Sequence, residues 1–236
     1  MRIGIVIPAN NEAATIEFVL NEIAGSVGNL VEKVVVVDDG STDETGALAK
    51  KKGAEVLSAP FNMGAWLATQ TGMRRLLSLG FDCVISFDAD GQHVADSIKS
   101  LILAFETQKG NIVIGASLSR ATALRSLAWR LLRLSSGLAI GDVTSGLRLY
   151  DGRAMKLLTS KEASYFKYQD IGILTLALSQ GLVITEVEVP MRPRKSGGSR
   201  VFKSWIQICS FMISAVLLGI AKRKAPNGTR QRNLQS

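Results

Sequence analysis

Short aliphatic and β-branched runs alternate along the first half of the chain with longer stretches whose apolar positions recur at helical spacing. Ile3 to Ile7, Val34 to Val37, Glu55 to Leu57, Cys83 to Phe87 and Ile112 to Ile114 read as strands. Glu12 to Ile23, Thr42 to Lys52, Ala65 to Leu79 and Val94 to Thr107 read as helices between them. Side chains of a strand point alternately to its two faces, so a run that is apolar at every position is buried on both. That pattern predicts an α/β fold: a mostly parallel twisted sheet with helices on both faces. In such sheets ligands bind beyond the carboxyl ends of the strands, which directs attention to the residues after Ile7, Val37 and Phe87. Past about residue 117 the alternation decays into a basic, leucine-rich stretch. A segment Asp142 to Arg148, a helix near Ile171 to Leu178 and a strand near Leu182 to Val189 follow, read as the second half of the same domain.

Composition refines this picture without changing it. A 236-residue chain that is 47% hydrophobic has ample material for a core. Its 28 Lys and Arg against 20 Asp and Glu give a net charge of +8, which favours an anionic partner. Few aromatics and no recognition motif argue against nucleic acid. Two cysteines, Cys83 and Cys209, sit in separate apolar runs with no metal-ligand spacing. The opening Met1-Arg2 leads straight into a strand rather than a signal peptide, so the domain is expected to stay in the cytoplasm. Trp205 to Ile220 is nearly all apolar, yet its 16 residues fall short of the roughly 20 that span a bilayer. Lys203, Gln207, Ser210 and Ser214 draw a narrow polar stripe along it, and Lys222-Arg223-Lys224 follows. This predicts a helix lying in the membrane interface. The expected organisation is a domain over 1–200, a membrane-associating helix over 201–222 and a basic tail over 223–236. A second stretch, Arg120 to Leu134, places Leu124, Leu127, Leu131 and Leu134 on one helical face and reads as a helix packed on the domain.

The chemistry gathers where the topology directs it. Asp88-Ala89-Asp90 follows the fourth strand, and in an extended strand end two carboxylates two residues apart project to one side. Such a pair suits Mg²⁺ or Mn²⁺, which take one or two carboxylates together with substrate phosphate oxygens. Taken alone, the same residues are equally those of an ordinary turn. Asp38-Asp39-Gly40-Ser41 closes the second strand, where a carboxylate accepts hydrogen bonds from a base or ribose hydroxyl; Ser41, Thr42 and Asp43 also suit a helix N-cap. Pro8-Ala9-Asn10-Asn11-Glu12 stands where a dinucleotide-binding protein places GxGxxG, and no such glycines are present. A basic glycine-rich run, Arg192 to Arg200, follows the last strand; arginine forks suit phosphates, and a solvated basic turn has the same composition.

Five segments in this order and spacing, Pro8 to Glu12, Val37 to Asp43, Asn62-Met63-Gly64, Asp88 to His93 and Asp142 to Arg148, resemble family 2 glycosyltransferases. Within that family the chain is most similar to dolichol- and polyprenyl-phosphate sugar synthases. The resemblance implies a GT-A fold and a metal-dependent, inverting hexosyl transfer from a nucleotide-diphosphate sugar. It implies that Pro8, Ala9, Asn11, Glu12, Asp39, Asn62, Asp88 and Ala89 hold the donor. Asp88, Asp90 and Gln92 would surround Mg²⁺ or Mn²⁺, with Asp90 and Asp170 in the reaction, while His93 is read as structural. Ser145, Arg148, Arg194 and Ser199 would meet donor and acceptor phosphates. Where related bacterial sequences have two acids after a tyrosine, this chain has Asp170 and then Gly172. A phosphate acceptor has its second pKa near ~6 and needs no base, so the loss favours polyprenyl phosphate at the cytoplasmic face of a membrane. The alternatives are transfer to a saccharide hydroxyl, for which Asp170 would be the base, and a catalytically silent membrane-attached scaffold. A nucleotidyltransferase also needs paired acids, but would bring a glycine-rich loop after the first strand.

Overall fold

The computed structural model describes residues 1–117, 142, 145–166 and 171–193. The two leucine-rich and apolar stretches expected as helices, Arg120 to Leu134 and Trp205 to Ile220, lie outside them, as does the basic tail. The elements run β1 (Ile3–Ala9), α1 (Ile16–Val27), β2 (Lys33–Asp38), α2 (Thr45–Lys51), β3 (Glu55–Ser58), α3 (Ala65–Ser78) and β4 (Cys83–Ser86). They continue with α4 (Ser97–Gln108), β5 (Ile112–Ala116), β6 (Arg148–Asp151), α5 (Gly152–Leu158), a 3-10 turn (Glu162–Tyr165), α6 (Ile171–Ser179) and β7 (Ile184–Glu188). Among the described residues seven strands form one sheet in the order β3-β2-β1-β4-β6-β5-β7. All pair in parallel except β6, which runs antiparallel to both β4 and β5.

The sheet is mixed, and it has the separate core on each face that its unbroken apolar strands require. Val6, Val35, Val37 and Val84 pack with Trp66, Met73 and Leu76 of α3 and with α5 and α6. Ile3, Ile5, Ile7, Val36 and Ile85 pack on the other face with Ile16, Val19 and Ile23 of α1, Ala49 of α2, and Ile98 and Leu101 of α4. Alternation along β1 thus sends consecutive residues to different cores. α3 lies close on β1 because Gly72 has no side chain: a Cβ there would come within 2.4 Å of Val6 Cγ1. Trp66 is buried and donates from Nε1 to Ala163 O at 2.9 Å, tying α3 to the 3-10 turn.

Three expectations are corrected. The run Glu12 to Thr15 is a turn rather than the first turn of α1, with Thr15 and Ile16 N–H both donating to Glu12 O. β6 and α5 are elements that periodicity did not reveal. Asp88-Ala89-Asp90 does not extend β4, which ends at Ser86; the segment turns at Ala89 and Asp90, and Gly91 takes a φ of 73° that favours glycine.

Candidate active site

β1 has β2 on one side and β4 on the other, with the next strand on each side reached by opposite routes, so the crevice opens at the carboxyl end of β1. Pro8 and Ala9 close that strand. The residues after it are fixed by the loop after β2. Asn11 N donates to Ser41 Oγ at 2.9 Å, and Asn11 Oδ1 accepts from Thr42 N at 2.8 Å. Asn10 Nδ2 donates to Asp39 O at 2.7 Å, and Glu12 N donates to Thr45 Oγ1 at 2.8 Å. Asn11 holds a left-handed φ of 54°, a conformation that asparagine tolerates better than most residues. The Asp43 carboxylate accepts from Ala13 N and Thr45 N, bridging both loops.

Asp39 is only 2% exposed, and its two oxygens accept Met63 N at 2.7 Å and Gly64 N at 2.9 Å. A carboxylate that takes two backbone amides is firmly placed. It therefore holds the Asn62-Met63-Gly64 loop against the end of β2, a role beyond the donor contact expected of it. Gly40 lets that loop approach, since a Cβ there would lie 2.6 Å from the Phe61 carbonyl carbon at a φ of 67°.

The second half of the site sits over β4. Because β6 is antiparallel, its first residues arrive at the same sheet edge where β4 ends. Ser86 Oγ donates to Gly146 O at 2.6 Å, and Gly146 packs flat on Asp88: a Cβ would be 2.3 Å from both carboxylate oxygens. Asp88 keeps 41% of its side chain exposed, while His93, 1% exposed, brings Nε2 within 3.1 Å of Asp88 Oδ2. His93 also meets Phe87 edge to face, with ring centroids 5.5 Å apart. Since Asp88 is an acceptor, Nε2 is the nitrogen assigned its hydrogen. Asp90 Oδ1 accepts Gln92 N at 3.0 Å, which closes the turn.

Hence Asp88, Asp90 and Gln92 share one turn at the crevice. Among the described residues no three His, Cys, Asp or Glu gather tightly enough to hold a metal unaided. Two carboxylates on a turn, one of them cradled by a glycine and open to solvent, fit a hard cation that completes its shell with donor phosphate oxygens. Ser145 is engaged with the backbone: its hydroxyl donates to Gly115 O at 2.6 Å. Arg148 is fully buried in β6, with Nε donating to Ser145 O at 2.9 Å, so it lies beneath the crevice rather than at its rim. Asp170, Arg194 and Ser199 lie outside the described residues.

Arg192 opens the basic run after the last strand, and its side chain turns to α1. Its guanidinium donates to Glu22 Oε1 at 2.7 Å and Oε2 at 2.8 Å, a bond that raises its already high pKa. Glu22, an acid on α1 far from every motif, has no feature in the sequence that marks it.

Residues 4–161 match the model of the family described as Glycosyl transferase family 2. An undecaprenyl-phosphate mannosyltransferase of Micrococcus luteus is 28% identical over 94% of this chain and 99% of its own length. A polyprenol monophosphomannose synthase of Mycolicibacterium smegmatis is 25% identical over 89% of this chain and 84% of its own. Among solved structures, glucosyl-3-phosphoglycerate synthase of Mycobacterium tuberculosis in complex with Mn²⁺, UDP and glucosyl-3-phosphoglycerate superposes with a TM-score of 0.68. The two are 27% identical over 94% of this chain and 79% of that one.

Proposed function

The chain belongs to glycosyl transferase family 2 and has a GT-A-like fold, and from that premise we propose that it transfers a sugar from a nucleotide diphosphate to polyprenyl phosphate with inversion at the sugar carbon. The observation that carries this reading is the meeting, at one sheet edge, of the Asp88-Asp90 turn with the cross-braced loops after β1 and β2. The acceptor class follows from the relatives named above, which match this chain along nearly its whole length and whose names specify polyprenyl phosphates.

In this reading Pro8 and Ala9 at the end of β1, with the loops carrying Asn11, Glu12, Asp39 and Asn62, seat the nucleoside, with Ala89 beside it. Asp88, Asp90 and Gln92 would hold Mg²⁺ or Mn²⁺, which when bound supplies positive charge to the departing diphosphate. An oxygen of the acceptor phosphate attacks the sugar carbon from the face opposite the bond to the donor's β-phosphate oxygen, and that bond breaks, which inverts the carbon. No proton has to leave the acceptor, because a phosphomonoester with a second pKa near ~6 is already ionised at neutral pH. Asp170 is then dispensable; a hydroxyl acceptor would require a base. Arg194 and Ser199 are assigned to the phosphates, with the buried Arg148 supporting the crevice floor through Ser145 O. Residues 1–200 form the catalytic unit, and 201–222 hold it to the cytoplasmic face of the membrane, followed by the tail. No helix among the described residues is long and apolar enough to cross a bilayer.

Incubating the protein with radiolabelled UDP- and GDP-sugars, polyprenyl phosphate in vesicles, and Mn²⁺ or Mg²⁺ tests this directly. Label should enter the organic phase, stop with chelator, and be lost in Asp90→Asn without unfolding. Label that enters only water-soluble acceptors would overturn the lipid acceptor. Full turnover in chelator would overturn the metal.

A further inference from the structure

Two residues on successive turns of α1, Phe18 and Glu22, meet the carboxylate-bearing turn and the segment after β7 at once. Glu22 Oε1 accepts Ala95 N at 3.2 Å and both Glu22 oxygens take the Arg192 fork. Arg192 in turn donates its backbone N–H to Gln92 O at 2.8 Å and a guanidinium N–H to His93 O at 3.3 Å. Its guanidinium carbon lies 5.4 Å over the Phe18 ring centroid, and that ring would touch a Cβ at Gly91 at 3.6 Å. An antiparallel bridge pairs His93 with Met191. The Glu22 and Arg192 side chains are 16% and 33% exposed, so the pair is shielded from solvent on most sides. Together these contacts fix the carbonyl of Gln92, the carbonyl of His93 and the N–H of Ala95, three attachment points on the stretch between β4 and α4 that carries Asp88 and Asp90.

We infer that Glu22 and Arg192 are positioning residues that set the Asp88-Asp90-Gln92 turn for its cation, acting as one unit through the bidentate pair. The inference rests on the assignment of that turn to a divalent cation and donor diphosphate. A carboxylate turn without such bracing would spend part of its time in geometries that a small octahedral cation does not accept. Neither residue touches the reacting atoms. Arginine is required because only a planar fork takes two carboxylate oxygens while a further N–H reaches His93 O.

The test uses the full chain and measures Mn²⁺ binding by electron paramagnetic resonance in the presence of UDP and, separately, GDP, alongside sugar transfer. Glu22→Gln and Arg192→Gln should each raise the Mn²⁺ Kd about ten-fold and lower kcat by a similar factor, in line with the ten- to hundred-fold cost of losing groups that orient metal ligands. The double variant should be no more than about two-fold worse than the poorer single one, since residues acting as a unit are non-additive. Arg192→Lys keeps the charge and should fall between. Arg2→Gln, which breaks the Arg2–Glu32 pair at the opposite sheet edge, controls for loss of a surface ion pair and should leave Mn²⁺ affinity unchanged. Folded single variants with Mn²⁺ affinity within two-fold of the intact chain would overturn the inference, as would losses that multiply in the double variant. If the intact chain binds no Mn²⁺ with either nucleotide and moves no sugar, the function reading itself has failed. Hydrogen exchange then judges the brace alone: faster exchange of the Ala95 and Arg192 amides in Glu22→Gln supports it, and unchanged exchange overturns it.

Discussion

A methyl group at position 146 would lie 2.3 Å from both oxygens of Asp88, inside any nonbonded contact distance. Asp88 is a partly exposed, rotatable side chain, so Gly146→Ala should displace it rather than strain the backbone. We expect transfer to fall ten-fold or more while the melting temperature moves by no more than about 2 °C, equivalent to about 0.5–1 kcal/mol for a chain of this size. A large loss of stability with activity intact would show that Gly146 serves packing alone. Cys83 offers a second check at this scale. Desolvation by burial pushes its thiol up to about 12, so almost no thiolate exists at pH 8. In a Cys209→Ser background, native protein should resist maleimide for hours and react only as fast as it unfolds; complete labelling within minutes would contradict that environment. The carboxylates at 88 and 90 were legible because they follow an apolar strand. The partners of Asp39 were not, because Met63 and Gly64 bind through backbone N–H groups, which no side-chain pattern marks.

Among the elements, β2, β3 and α3 are pinned by one acid. Glu55 on β3 accepts Lys33 Nζ of β2 at 2.7 Å and Arg75 Nε of α3 at 2.5 Å, and these two hydrogen bonds hold its pKa below the ordinary 4.5. A depressed carboxylate pKa adds stability that is present above the unfolded value and is lost as pH falls through the folded one. Glu55→Gln should therefore cost under about 1 kcal/mol at pH 7, since the group is solvent-screened. Urea unfolding should show that difference shrinking as pH drops below 4.5 toward the folded pKa. A gap that is constant with pH would mean packing, not charge, is at stake. β6 escaped notice because Arg148–Asp151 is four residues long with a charge at each end, too short for alternation to register. The start of α1 was misjudged for a different reason: Glu12 suits a helix well, but its N–H is taken by Thr45 Oγ1 at the start of α2.

For the whole molecule, the sheet and both cores among the described residues are built from residues up to Val189. A chain ending after Ser204 should therefore keep its melting temperature within about 2 °C, a shift of about 1 kcal/mol or less. It should no longer sediment with anionic vesicles, because an interfacial helix binds by buried apolar area and basic flanks. If the intact chain does not sediment with them either, membrane attachment through 201–222 is wrong. By itself the sequence determined the layered α/β architecture and the edge that carries the chemistry, since strands buried on both faces must be apolar throughout and crossover helices force them parallel. Only the tertiary structure decided what joins that edge. Inserting β6 antiparallel between β4 and β5 brings Gly146 onto Asp88, and the return of the chain after β7 carries Arg192 to Glu22, 170 residues away in sequence. Such pairings depend on which strand enters the sheet, and in which direction. That choice is made by competition among distant segments for the same hydrogen-bonding edge, which no local pattern records.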